Sequence, residues 1–270
     1  MDLGLAGRKA LVTGGSQGIG RGCGLALAQE GCEVALVSRT LADLERAREE
    51  IVGRTGAKVR VSARDLSDPA QVDALAAEFP DIDILVNNAG SIPAGPIESL
   101  DDAAWREGWQ LKVFGYIHMT RRFLAPMKAR RSGVIINVIG NRLQNPNYIA
   151  GETGNMALAN FTVTLGAETP DWNVRVVGLD PGPIATERLL SGLRKAAKAA
   201  WGDEERYVDL VGSMPFGRAG RVEEVAATVA FLASDLAGYI TGCMVTVDGG
   251  VGNRSRAGHV SPKGASGPAR

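Results

Sequence analysis

Leu11 to Gly20 reads LVTGGSQGIG, a stretch that fits between a buried strand and the start of a helix and in few other places. An apolar run ends at Thr13, glycines follow at 14, 18 and 20, and the chain continues into the helix-like RGCGLALAQEG. Glycine serves three needs in such a turn: positive φ, close approach of backbone to a pyrophosphate, and tight packing of helix on strand. The first helical turn then offers free N–H groups and the positive end of its dipole to phosphate. Gly-rich turns also occur without any cofactor, so the rest of the chain has to decide.

Residues 8–15 and 33–38 (EVALVS) read as short apolar strands with a helix over 20–29 between them, a βαβ unit. Gly31 stands where a left-handed helix cap belongs. The second strand ends at Ser38-Arg39 with no acidic residue. An Asp or Glu there would hold a ribose 2′-OH, whereas Arg suits a 2′-phosphate. Arg39 therefore favours NADP(H) over NAD(H), the alternative being a solvated strand end. A helix over 40–55, a strand through KVRVSARD to Asp65-Leu66, a helix from Asp68-Pro69 to Phe79 and a strand in IDILVNNAG at 82–90 follow. This alternation predicts a doubly wound parallel sheet with helices on both faces, an α/β fold.

With 270 residues, 45% of them hydrophobic and 22% charged, the chain can bury one large core more readily than two small ones. Thirty basic residues balance thirty acidic ones, so no net charge draws the chain to nucleic acid or to an anionic membrane. No apolar run approaches the length of a membrane span, and MDLGLAGRKA lacks the basic-then-apolar order of a secretory leader, so a soluble cytoplasmic protein is expected. Cys23, Cys32 and Cys243 lie in apolar stretches and read as buried reduced thiols. His118 and His259 are far apart, and no metal site is expected.

The ordered set TGGSQGIG (13–20), Asp65-Leu66, NNAG (87–90), DPGPIAT (180–186), FLASD (231–235), ITG (240–242) and VDGG (247–250) resembles the short-chain dehydrogenase/reductase family. The resemblance covers about residues 5 to 250 and implies a single-domain Rossmann-like fold. It implies that Gly14, Ser16, Ile19 and Gly20 line the pyrophosphate, Arg39 the 2′-phosphate, and Asp65 and Leu66 the adenine. It likewise implies that Asn88, Ala89 and Gly90 meet the adenine ribose, and Pro181, Gly182, Ile184 and Thr186 the nicotinamide carboxamide. Asp180 stands where the family usually has Asn.

The family's chemistry resembles carbonyl reduction by a Tyr hydroxyl whose pKa is lowered by a Lys four residues on, assisted by a Ser and an Asn. Aligned on that pattern, NMALANFTVTLGAE followed by VRVVGLDPG puts Gly151 at the Tyr position and Asn155 at the Lys position. GVIINVIG (133–140) puts Gly140 at the Ser position, and WREGWQLKVFG puts Lys112 at the Asn position. Three readings follow. In the first, the chain is an NADP(H)-dependent oxidoreductase acting on a carbonyl or secondary alcohol, with Tyr148, Lys112 and Asn155 in relocated roles. In the second it binds the cofactor without hydride chemistry. In the third it runs a non-redox step, a lyase or isomerase reaction, with Lys112, Glu152 or Tyr148 as base. Tyr148 could equally pack on the core, Lys112 could be structurally paired, and Glu152 could be a helix-start carboxylate. Asn141 and Arg142 follow the strand directly, where a substrate could be met.

The family resemblance places a substrate lid at about 187–217. Leu189, Leu190, Leu193, Ala197 and Trp201 form an apolar stripe at helical spacing. Arg188, Arg194, Lys195 and Lys198 on its other faces read as a wet surface, the sharper alternative being contact with an anionic substrate such as an acyl thioester of coenzyme A. RVEEVAATVAFLAS reads as a core helix, GCMVTVDGG as a buried last strand, and 251–270, rich in Gly, Ser and Pro, as a disordered tail. The expected partners are a small-molecule substrate and, from the resemblance, further copies of the chain in a dimer or tetramer.

Overall fold

The computed structural model describes residues 2–140 and 145–253. Its chain alternates strand and helix from the start: β1 (Lys9–Thr13), α1 (Gly18–Gln29), β2 (Glu33–Ser38), α2 (Leu41–Thr55), β3 (Val59–Ala63), α3 (Pro69–Glu78) and β4 (Ile84–Asn87). A second half follows with α4 (Asp102–Trp109), α5 (Gly115–Arg130), β5 (Gly133–Val138), α6 (Ile149–Glu168), β6 (Val174–Pro181), α7 (Glu187–Trp201), α8 (Tyr207–Gly212), α9 (Val222–Ala233) and β7 (Met244–Val247). Among the described residues the strands form one sheet in the order β3-β2-β1-β4-β5-β6-β7, every pairing parallel.

Strand side chains alternate between two apolar layers, because both faces of a parallel sheet are covered by helices. Val12, Leu36 and Val86 pack with Cys23 and Leu27 of α1, Leu44 and Ile51 of α2 and Val225 and Val229 of α9. Their neighbours Leu11, Val37 and Leu85 face the other way, against Val72 and Leu75 of α3 and Met119, Phe123 and Met127 of α5. The helices begin and end where local chemistry directs. Asp68 caps α3 by accepting from Ala70 N–H ahead of Pro69, and Gly56 closes α2 in the left-handed region at φ 69°.

Most elements are shorter than the apolar runs that announce them. The strand expected through Asp65-Leu66 stops at Ala63, because Asp65 turns the chain by accepting from the backbone N–H (3.0 Å) and hydroxyl (2.6 Å) of Ser67. The last strand is not buried as expected. β7 pairs only with β6, and Met244, Val245 and Val247 stay partly exposed at the sheet edge. Cys243 beside it is likewise only partly covered, whereas Cys23 and Cys32 are buried thiols pushed up to about 12 by desolvation. The chain stays folded past the expected boundary at 250, through a 3-10 turn at Val251–Asn253 fastened by Asp248, which accepts from Gly250 and Gly252 N–H at 2.7 and 2.8 Å. Of the tail expected at 251–270, residues 254–270, like Asn141 and Arg142, lie outside the described residues.

Candidate active site

Strand order reverses between β1 and β4, and in open α/β sheets the crevice at such a switch point, beyond the strand C-termini, is where ligands bind. Thr13 ends β1 and Asn87 ends β4. The buried Thr13 hydroxyl accepts from Asn88 N–H (2.8 Å) and Ala89 N–H (2.9 Å), and Asn88 Nδ2 donates to Thr13 O at 3.0 Å. The glycine-rich turn and the NNAG turn are thereby tied into one wall. Thr13 was not among the residues singled out by sequence; its signal was its place as the last polar residue of a strand otherwise buried.

Backbone runs too close in this wall for side chains. A Cβ at Gly20 would stand 2.1 Å from Gly14 O and 2.5 Å from Asn88 Nδ2. The cradle is thus made of backbone, with α1 starting immediately behind it, which is the arrangement a pyrophosphate requires. Ser16 and Ile19 are half-buried along its rim. On its far side Arg39 is exposed at the end of β2, and its charge helps hold the carboxyl of Asp65 below the usual range, after the larger effect of the Ser67 hydrogen bonds. Leu66 is buried beside them. The DPGPIAT run closes the crevice from β6. Gly182 N–H donates to Val247 O (3.0 Å), Ile184 bridges to Gly220, and Thr186 caps α7 with its methyl 3.3 Å from the position of a Cβ on Gly18. Of the residues expected at the cofactor, Gly14, Gly20 and Asn88 meet one another in this wall, and Thr186 stands over Gly18. The backbone cradle fits the pyrophosphate of a dinucleotide, and the crevice runs from the ends of β2 and β3 at one end to the end of β5 at the other.

At that second end, α4 passes into α5 through a π-helical turn, Gln110–Phe114. Such i→i+5 turns shift the side-chain register and recur at functional sites. The shift turns Lys112 inward, 8% exposed, with its stem against Gly90, where a Cβ would meet Lys112 Cδ at 2.3 Å. The ammonium donates to Ile139 O (2.7 Å), Val138 O (3.0 Å) and the Tyr116 hydroxyl (3.1 Å), while Tyr116 donates in turn to Val138 O at 2.8 Å. Burial, and secondarily the charge of Arg188, lowers the Lys112 pKa to about 7, with Asp180 pulling the other way. Tyr116, buried and raised well above the ordinary phenol value by desolvation, was missed in the sequence. The available signal was a Lys-x-x-x-Tyr spacing, one helical turn.

Gly140 follows β5 at φ 119°, a backbone geometry strained for any residue with a Cβ. Asn155, buried on α6, brings its Nδ2 to 3.4 Å from where a Gly140 Cβ would be. Tyr148 precedes α6 and folds its ring back over Gly151, placing Cζ and Cε1 2.0 and 2.1 Å from the position of a Cβ at 151. Burial raises the Tyr148 phenol, Arg188 lowers it and Glu152 raises it. Lys112 and Asn155 thus lie at the end of β5, on Val138 and Ile139 and beside Gly140 respectively, and Tyr148 lies on Gly151, one helical turn before Asn155. Beneath them a buried chain of amides and hydroxyls runs from Asn87 Nδ2 to Asn137 Oδ1 (2.9 Å) and from Asn137 Nδ2 to Thr162 (2.9 Å), with Asn87 also donating to Thr120 at 3.3 Å. Among the described residues no helix is long and apolar enough to cross a membrane.

A doubly wound parallel sheet with a glycine-rich backbone cradle at its switch point is the Rossmann architecture of dinucleotide-binding proteins. A family profile described as Enoyl-(Acyl carrier protein) reductase matches residues 14–252. Galactitol 2-dehydrogenase (L-tagatose-forming) of Cereibacter sphaeroides is 35% identical, over 91% of this chain and 95% of its own. An NADPH-dependent reductase of Bacillus subtilis (strain 168) is 32% identical, over 90% and 97%. The structure of L-sorbose reductase from Gluconobacter frateurii, complexed with NADPH and L-sorbose, superposes with a TM-score of 0.87 at 31% identity, covering 94% of this chain and all of that one. The chain belongs to the short-chain dehydrogenase/reductase family.

Proposed function

We propose that this protein interconverts a carbonyl and a secondary alcohol with NADP(H), and that its proton chemistry is carried by groups other than the usual Asn-Ser-Tyr-Lys set of the family. The observation that carries this reading is the Tyr148 ring lying on Gly151. A phenol reaches the region of the usual donor from three residues upstream, and reaches it only because position 151 has no side chain. Relatives support the redox class, since their names describe polyol dehydrogenases and NADPH-dependent reductases. When bound, the nicotinamide supplies or takes up a hydride. Tyr148 gives a proton to the carbonyl oxygen in reduction and removes it in oxidation, while the Lys112 charge stabilises the alkoxide that develops between those limits. Asn155 holds the ribose. Gly14, Ser16, Ile19 and Gly20 seat the pyrophosphate, Asp65 and Leu66 the adenine, Asn88, Ala89 and Gly90 the adenine ribose, and Pro181, Gly182, Ile184 and Thr186 the carboxamide. Residues 187–217 act as the lid.

A screen of NADPH oxidation and NADP reduction against ketones, quinones and alcohols tests the reading. Turnover of a ketone or its alcohol is expected; tight NADPH binding with no turnover across the panel would make the chain a silent binding module. Cofactor choice has its own measurement. The exposed guanidinium of Arg39 meets a 2′-phosphate, so fluorescence titration should show tighter binding of NADPH than of NADH, and Arg39→Ala should narrow the gap by about tenfold, on the order of one charge-assisted contact. Equal affinities in the native protein overturn the NADP assignment. The same reading makes the protein a homo-oligomer, supported by Met156 (53% exposed) and Val163 (40% exposed) on α6. Sedimentation should then give a dimer or tetramer, and Met156→Glu with Val163→Glu should shift it to smaller species.

A further inference from the structure

Arg188 is the second residue of α7, on the segment assigned above to the lid. Its side chain is solvent-exposed and reaches back to the NNAG turn. Nη1 donates to Gly90 O at 3.3 Å, closing a contact between residues 98 apart in sequence. The other side of Gly90 carries the stem of Lys112. Guanidinium, glycine and ammonium chain are thus layered at the nicotinamide end of the crevice, and Arg188 lies near enough to lower the pKa of both Lys112 and Tyr148.

Its partners do not neutralise it. The carboxylate beside it on α7, Glu187, points to Arg194 instead (3.7 Å). Arg194 and Arg206 are otherwise spent inside the lid, stacked on Tyr207 and Trp201, which fastens α7 to α8. Among the described residues Arg188 makes no ion pair, and its hydrogen bond to Gly90 is a long one to a neutral carbonyl. A guanidinium has five donors in a planar fork matched to two oxygens of a carboxylate. Arg188 and Lys112 flank Gly90, and of the two only Lys112 has a carboxylate, Asp180, acting on its charge.

We propose that Arg188 binds a carboxylate of the substrate and so selects keto acids, and the corresponding hydroxy acids, over neutral ketones and polyols. The inference rests on the carbonyl–alcohol reading above and names the substrate class for that site. A second oxyanion lies within the same chemistry, the pyrophosphate of the dinucleotide, because Thr186 at the start of α7 overhangs Gly18.

The test measures binding to the NADP-loaded protein by calorimetry, with no turnover needed. Three acids, 2-oxobutyrate, acetoacetate and levulinate, carry the carboxylate at increasing distance from the ketone, and each is compared with the neutral ketone in which methyl replaces carboxylate. At least one acid should bind tenfold or more tighter than its neutral partner. Arg188→Gln should erase that difference, Arg188→Lys should retain part of it, and NADPH affinity should change less than twofold in both variants. The proposal is overturned if no acid surpasses its ketone, or if Arg188→Gln leaves the difference intact. It is overturned in favour of the cofactor if Arg188→Gln weakens NADPH tenfold while the acid preference persists. Failure of the redox reading is distinguishable: the acid preference in binding would remain while no ketone, acidic or neutral, is turned over.

Discussion

Tyr148→Phe should lower the turnover of a ketone by about a hundredfold, the low end of what a positioned general acid contributes, while NADPH affinity stays within about twofold. The phenol is half-buried, its ring rests on the helix at Gly151, and its neighbours Arg188 and Glu152 pull its pKa in opposite directions. Removing only the hydroxyl keeps that packing. Gly151→Ala supplies the complementary measurement. Its new methyl would fall 2.0 Å from Tyr148 Cζ, so the ring must leave while the hydroxyl survives. Equal losses in the two variants, with stability unchanged in Tyr148→Phe, place the proton donor at the phenol where it now lies. Native turnover in both would remove Tyr148 from the chemistry.

Lys112→Met should lower turnover at least tenfold and also remove a feature of the pH profile. The ammonium form has three N–H groups and three acceptors, Val138 O, Ile139 O and the Tyr116 hydroxyl. A neutral amine has two N–H groups and a lone pair, which the Tyr116 O–H can turn to satisfy. Loss of the proton is therefore provided for within the site. With the pKa near 7, the charged fraction falls as pH rises through that value. If the charge stabilises the alkoxide, reduction measured as kcat/KM falls above about pH 7 in the native enzyme. Lys112→Met should lose that limb and run flat to higher pH. A limb that persists unchanged in Lys112→Met belongs to another group.

Much of the turn geometry at the ends of β1, β4 and β6 was legible in the chain because its signals are local. Glycine at 14 and 20, Asn88 and the PGPIAT run mark positions where backbone approaches backbone, a demand that leaves its trace in residue type. The alternation of strands and helices was equally plain, since both faces of a parallel sheet must be apolar. The exposure of β7 was not, because it follows from standing last in the sheet order, and Val245 and Val247 look in sequence like any buried valines. The placement of Tyr148 needs two residues read together, the aromatic at 148 and the missing Cβ at 151. Arg188 lay further out of reach: on α7 alone it is one of several cations at helical spacing, and only the return of the lid across 98 residues sets it over Gly90.

The buried chain through Asn87, Asn137, Thr120 and Thr162 has a bearing on how such a site can change over time. It joins β4, β5, α5 and α6 by side-chain hydrogen bonds lying under the reactive groups. Each bond is buried, where a lost partner is costly. Lys112, Gly140, Gly151 and Asn155 lie on the same elements or close to their ends. Substitutions above this layer can therefore alter a site while the strands and helices that carry it keep their alignment.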